Sequence, residues 1–115
     1  MTAFFPPFMR ALPAPDTPFA MEAHIVPSEH VMTMFYEVDH DMSVPEHAHG
    51  AQWGVVLTGE MAMTIGGETR TYRAGDTYYV PPDAPHITAI RAGYTGIDVF
   101  ADAHRYQPLA PKSDQ

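Results

Sequence analysis

Cysteine is absent from the 115 residues, which excludes disulfides, thiolate metal ligands and a cysteine nucleophile. Positive charge is scarce. Six Lys and Arg stand against 14 Asp and Glu, a formal net charge of −8, and the few cations form no cluster. Nucleic-acid binding and docking on anionic membranes both draw on Lys and Arg, so no nucleic-acid or membrane partner is expected. No apolar run approaches the roughly 20 residues that span a bilayer. The start, Met1-Thr2-Ala3-Phe4-Phe5-Pro6-Pro7, has neither the basic opening nor the continuous apolar segment of a secretion signal. A cytoplasmic setting is the resulting default. No stretch carries helical periodicity, and no helix is expected. Nucleophile turns of the Ser-His-Asp kind, phosphate-cradling glycine loops and paired acids are missing as well.

Proline and short β-type segments are what the chain does have. Residues 1–20 hold Pro6, Pro7, Pro13, Pro15 and Pro18, interleaved with Phe4, Phe5, Phe8 and Phe19. Proline donates to no ladder, so this is expected to be an extended arm. Its phenylalanines are too many for a solvated tail and should pack on the main body or on a second subunit. From residue 21 onward, Met32, Met34 and Tyr36 alternate with Thr33, Phe35 and Glu37, a period of two. Trp53–Leu57, Met61–Ile65, Thr69–Tyr72, Thr77–Val80, His86–Arg91 and Thr95–Ala101 follow as further strands. Gly66-Gly67 reads as a hairpin turn needing positive φ. Many short strands between regular turns indicate an all-β sandwich or barrel. The expected division is an arm over 1–20, one barrel over 21–103 and a polar tail over 104–115. A chain of this length buries roughly 60–70% of its unfolded surface, enough for one modest core.

Pro45-Glu46-His47-Ala48-His49 carries the chemistry. On a strand, residues two apart project from one face, so His47 and His49 should point together. Two adjacent imidazoles suit a divalent ion of the Zn, Fe, Ni or Cu group. Such a pair among seven histidines is weak by itself, and isolated pairs are more often surface residues. The surroundings strengthen it: Gln52 and Gly59 follow, then Gly75, Pro81 and His86. With these residues the chain resembles the cupin superfamily, in particular its small single-domain, Cupin_2-like barrels. The family's first motif reads G-x5-H-x-H-x3–4-E-x6-G, and the second reads G-x5-P-x-G-x2-H-x3-N. His47 and His49 match the histidine pair, and Gly59 stands after Gln52 as the family places it after its glutamate. Gly75, Pro81 and His86 match the second motif at its spacing. Four positions depart. Asp41 stands for the first glycine, Asp83 for the inner glycine, Ile90 for the asparagine and Gln52 for the glutamate.

The resemblance implies an antiparallel jelly-roll β-barrel of six to ten strands, commonly a homodimer. It implies one divalent transition metal per chain (Zn, Fe, Ni, Cu or Mn) on His47, His49 and His86, with Gln52 as fourth ligand or beside a bound water. Glutamine is a neutral and poorer donor than carboxylate, so such a metal is more electrophilic and favours anionic ligands. Small-molecule binding at the metal is implied, with dioxygenase, isomerase or lyase chemistry as the enzymatic outcomes. The rival is a non-catalytic binding or sensing module whose metal is structural. Alternation from Gln52 turns Gly54 and Val56 inward, and from His86 turns Thr88 and Ile90 inward. Met34, Tyr36, Met63, Tyr79, Asp98 and Phe100 are the expected lining residues. Tyr36 and Tyr79 would be the phenolic proton donors, and Asp98 either a general base or an edge charge. His24, His30, His40 and His104 are read as solvated loop histidines.

Overall fold

The structure is a computed structural model and describes residues 3–109. Its strands are β1 (Glu22–Pro27), β2 (Met32–Val38), β3 (Met42–His47), β4 (Gln52–Thr58), β5 (Glu60–Ile65), β6 (Glu68–Arg73), β7 (Thr77–Val80), β8 (His86–Ile90) and β9 (Tyr94–Phe100). They form a five-stranded sheet in the order β1-β2-β9-β4-β7 and a four-stranded sheet in the order β3-β8-β5-β6. Every pairing is antiparallel. The two sheets share one core, with Met34, Tyr36, Val56, Val80 and Phe100 from the first meeting Met61, Met63 and Ile90 from the second. This is the all-β layout that the alternating segments predict, in the jelly-roll form that the cupin resemblance implies.

Period-two patterning decides which residues enter that core. Along β4, Gln52, Gly54 and Val56 are buried and Trp53 is exposed; along β8, His86, Thr88 and Ile90 are buried. Gly66 and Gly67 join β5 to β6 with φ of 58° and 80°, the left-handed pair that matches a hairpin's twist. Gly59, also at positive φ, is held to glycine by packing too, since a Cβ there would lie 2.8 Å from the Gly93 carbonyl oxygen.

The N-terminal segment contains one element the sequence did not suggest. Pro7–Arg10 forms a single helical turn, α1. Four residues are too few for periodicity to register, and Pro7 sits at a helix start, where its missing N–H costs nothing. Phe5 is buried against Phe35, ring centroids 4.9 Å apart. The Phe4 and Phe5 backbone N–H groups donate to Glu37 Oε1. The arm therefore covers the outer face of β2, which explains why Phe35 is buried although its alternation points it away from the core. His24, read as a solvated loop residue, is instead a buried residue of β1. Its Nδ1 lies 2.7 Å from the Leu12 carbonyl and its Nε2 2.9 Å from Glu22 Oε1, and its ring stacks on Phe35. Beyond β9 the chain returns along the arm: Asp16 N donates to Gln107 O, Leu109 N to Ala14 O, and Pro15 bridges Pro108. Among the described residues no helix is long and apolar enough to cross a membrane.

Candidate metal centre

His47 ends β3 and His86 opens β8, and the two are cross-strand partners. The register slips between Val44 and His47. Pro45 occupies that irregularity, where a missing N–H is tolerated. His49 lies beyond the strand, so the pair does not converge through strand alternation as expected. A turn brings it in, fixed by the Asp83 N–H to the His49 carbonyl (2.8 Å) and by the Gly50 N–H to Asp102 Oδ2 (2.8 Å). Asp83, standing where the family motif has glycine, adopts φ of 63°, the left-handed conformation that glycine takes most readily.

The three rings form one cluster. Their centroids are 4.1 Å (His47–His86), 4.9 Å (His49–His86) and 5.1 Å (His47–His49) apart, and one ligand nitrogen from each lies within 4.8 Å of the others. Each Nδ1 faces a backbone carbonyl: Pro45 O at 2.9 Å, Gly50 O at 2.8 Å and Ala84 O at 2.9 Å. A carbonyl only accepts, so each Nδ1 carries the proton and donates it, and in the neutral ring Nε2 keeps its lone pair. The Nε2 of His49 is buried with no hydrogen-bond partner. Burial holds His49 and His86 below the usual imidazole range, against the raising effect of their carbonyl partners, and the nearby Arg105 charge lowers both further. Three clustered imidazoles, each oriented by a backbone carbonyl at Nδ1, offer a donor set that suits a divalent transition metal. The residues present fit the group.

Behind the triad is a cavity of about 60 Å³. Met34, Tyr36, Met63, Asp98 and Phe100 line it as expected. Tyr79 does not. It is 57% exposed, and Tyr78, 4% exposed, is the inward phenol. The register explains this: Gln52 pairs with Val80 and Gly54 with Tyr78, and directly opposed residues share a face. At the floor, Asp98 accepts hydrogen bonds from the Tyr36 hydroxyl (2.9 Å) and the Tyr78 hydroxyl. It is a cavity residue, not an edge charge. Burial pushes its carboxyl up to about 6, while the hydrogen bonds from Tyr78, Tyr36 and Gln52 pull the other way. Burial and the Asp98 charge raise both phenols in turn. Gly54 makes room for this group, since a Cβ there would overlap Asp98 Oδ1 and the Tyr78 ring. Gln52 is buried in the wall between triad and floor. Arg105 and Tyr106 complete the mouth. Sequence reasoning missed both because they follow the last strand, where no periodicity indicates which side faces in.

This fold and donor set define an all-β jelly-roll protein with a three-histidine group that could hold a metal. A scan against protein families matches the cupin domain, Cupin_2, over residues 34–93, a span containing all three histidines and Gln52. The chain belongs to the cupin family. Among solved structures, an RmlC-like cupin from Shewanella frigidimarina is similar at 24% identity, covering 90% of this chain and 95% of that one, with a TM-score of 0.74. KdgF from Halomonas sp. is similar at 23% identity over 75% and 83% of the two chains, TM-score 0.66. A Trp-to-Phe variant of Bacillus subtilis oxalate decarboxylase is similar at 20% identity, TM-score 0.71. This chain aligns over 89% of its length with only 32% of that longer protein. These likenesses establish the shared fold. The search of curated proteins finds no match.

Proposed function

We propose that the protein binds a small organic ligand at a divalent transition metal held by His47, His49 and His86, and that it acts on that ligand as a metal-dependent isomerase, lyase or dioxygenase. One observation carries the reading. All three Nδ1–H groups are committed to backbone carbonyls, so the three lone pairs converge with nothing else to bind. A metal bound there would polarise a carbonyl or enolate or, as iron, nickel or copper, support dioxygen chemistry. The chain's own residues supply the rest. The backbone carbonyls hold the imidazoles in their ligating tautomer, the methionine-lined walls exclude water, and Asp98 with its two phenols holds a proton-accepting group at the floor.

Gln52 is proposed as a fourth ligand or as the holder of a bound water. Its neutrality has a physical reason in the chain. Gln52 lines the same cavity as the buried Asp98 and favours its charged form, and a glutamate there would instead bring a second carboxylate beside it without a cation between them. An amide can donate to Asp98 through its nitrogen and still offer its oxygen.

A non-catalytic binding module is the second reading, favoured by the pairing of both inward phenols with Asp98, which leaves neither free as a proton donor to a ligand. A cytoplasmic homodimer is the proposed setting, with the adjacent exposed Trp53 and Tyr79 as the face to test by sedimentation of aromatic-to-Ser variants. The primary test is metal content by mass spectrometry. One equivalent in the wild type and loss in His47→Ala is the expected result, and unchanged content in the variant removes the site. Turnover of any candidate substrate, with dioxygen uptake recorded, then separates enzyme from binder.

A further inference from the structure

Arg105 lines the same cavity as the three imidazoles, and its charge acts on both His49 and His86. Its place is built by packing. The guanidinium carbon lies 4.4 Å from the Tyr106 ring centroid and 5.8 Å from that of Phe100, and Phe100 packs edge-on to His49 at 5.7 Å. The Arg105 N–H donates to the Asp102 carbonyl at 3.1 Å, and Gln107 and Leu109 tie the segment to the arm. Despite this order the guanidinium is not neutralised. Among the described residues it belongs to none of the ion pairs. The adjacent acid, Asp102, turns its Oδ2 to the Gly50 N–H instead. The Nε of Arg105 is buried and has no hydrogen-bond partner. A buried charged donor of this kind is complemented by an acceptor, and a carboxylate matches the guanidinium fork in both shape and charge.

The rest of the cavity narrows the choice. Its mouth holds three imidazoles and the amide of Gln52 but, among the described residues, no carboxylate, so neither a divalent ion nor Arg105 is compensated there, and an anion is favoured. Its far end is closed by Asp98, which disfavours a second carboxylate on the ligand. A volume of about 60 Å³, at roughly 10–15 Å³ per water-sized group, admits about four to six heavy atoms. Resting on the metal reading above, we propose that Arg105 is the specificity-determining residue of the site and selects a small monocarboxylate. The carboxyl takes the guanidinium's donors, and a neighbouring oxygen of the ligand turns toward the three-histidine group.

The test uses full-length protein loaded with Co(II), whose visible spectrum reports both metal binding and the arrival of a ligand. Pyruvate and pyruvamide, equal in heavy atoms and different in charge, are titrated into wild type, Arg105→Gln and Arg105→Lys. The expected result is preference for pyruvate in the wild type, weakened at least about tenfold in Arg105→Gln. Arg105→Lys should be intermediate because it keeps the charge and loses the planar fork. Pyruvamide affinity should stay within about twofold throughout. Cobalt content checks that each variant retains its site. Equal affinity of the wild type for both probes, binding of neither, or equal weakening of both in Arg105→Gln overturns the role of Arg105 while leaving the metal reading intact. Failure of the wild type to take up cobalt overturns the metal reading, and this inference with it.

Discussion

The mouth and the floor of the cavity solve the same problem in opposite ways. Both place polar groups inside an apolar barrel, where an unpartnered donor or acceptor costs about 1–3 kcal/mol. At the floor, Asp98 takes the Tyr36 and Tyr78 hydroxyls, so the carboxylate and the phenols satisfy one another. At the mouth only one side of each imidazole is satisfied, by a backbone carbonyl, and the other side is left as a lone pair. The floor is internally complete and ties together three strands of the five-stranded sheet, since Tyr36 lies on β2, Asp98 on β9 and Tyr78 on β7. The mouth is completed only by something that binds. The two ends thus differ in how far their polar groups are satisfied from within the chain.

Breaking the floor should have the largest effect on stability. Asp98→Ala strands two buried hydroxyls and leaves a cavity, and is expected to cost about 3 kcal/mol in urea unfolding; a loss below about 1 kcal/mol would show that the carboxylate is not holding the phenols. Gly54→Ala drives a methyl group into Asp98 and Tyr78 and should cost about 2 kcal/mol, with Asp98→Ala partly rescuing it, because the two changes share one space.

Acid should separate the regions in metal-free protein. The Asp98 carboxyl lies at about 6 in the folded state, above the roughly 3.9 of an unfolded chain. The folded state therefore binds that proton more tightly. Its contribution is fully present below about pH 4 and is lost as pH rises through about 6. His49 and His86 are lowered, so theirs is present above about pH 6.5 and is lost as pH falls through their folded values. The stability gap between wild type and Asp98→Asn is accordingly expected to widen as pH falls from 7 to 4, by up to about 3 kcal/mol; a gap independent of pH would contradict it. Breaking the mouth should cost little. His47→Ala in metal-free protein is expected to change stability by less than about 1 kcal/mol while abolishing the rise in Tm that metal gives the wild type. Asp83→Gly should have the smallest effect, a gain of up to about 1 kcal/mol from relief of its left-handed backbone, read from the urea midpoint.

The division between mouth and floor also tracks what the sequence could reveal. The strands were legible because alternation is local, and Gln52, Gly54, Val56 and Thr88 face inward as their positions along β4 and β8 require. The histidine cluster was legible through motif spacing, although the geometric reason differed, since His49 arrives from a turn tied to Asp83 and Asp102. What was hidden depended on register. Tyr78 and Tyr79 are adjacent and chemically alike, and only the pairing of Gly54 with Tyr78 decides which one meets Asp98. His24 looked like a loop residue because its partners, Leu12 and Phe35, lie on the proline arm and on another strand. Arg105 lies past the last strand, where no repeat exists to orient it.

The most direct measurement is anomalous diffraction, at the edge of the bound metal, from crystals of protein purified without chelator. One peak about 2.0–2.2 Å from the Nε2 atoms of His47, His49 and His86 is the predicted result. Three rings turned apart, or a metal elsewhere with this cluster bare, would contradict it.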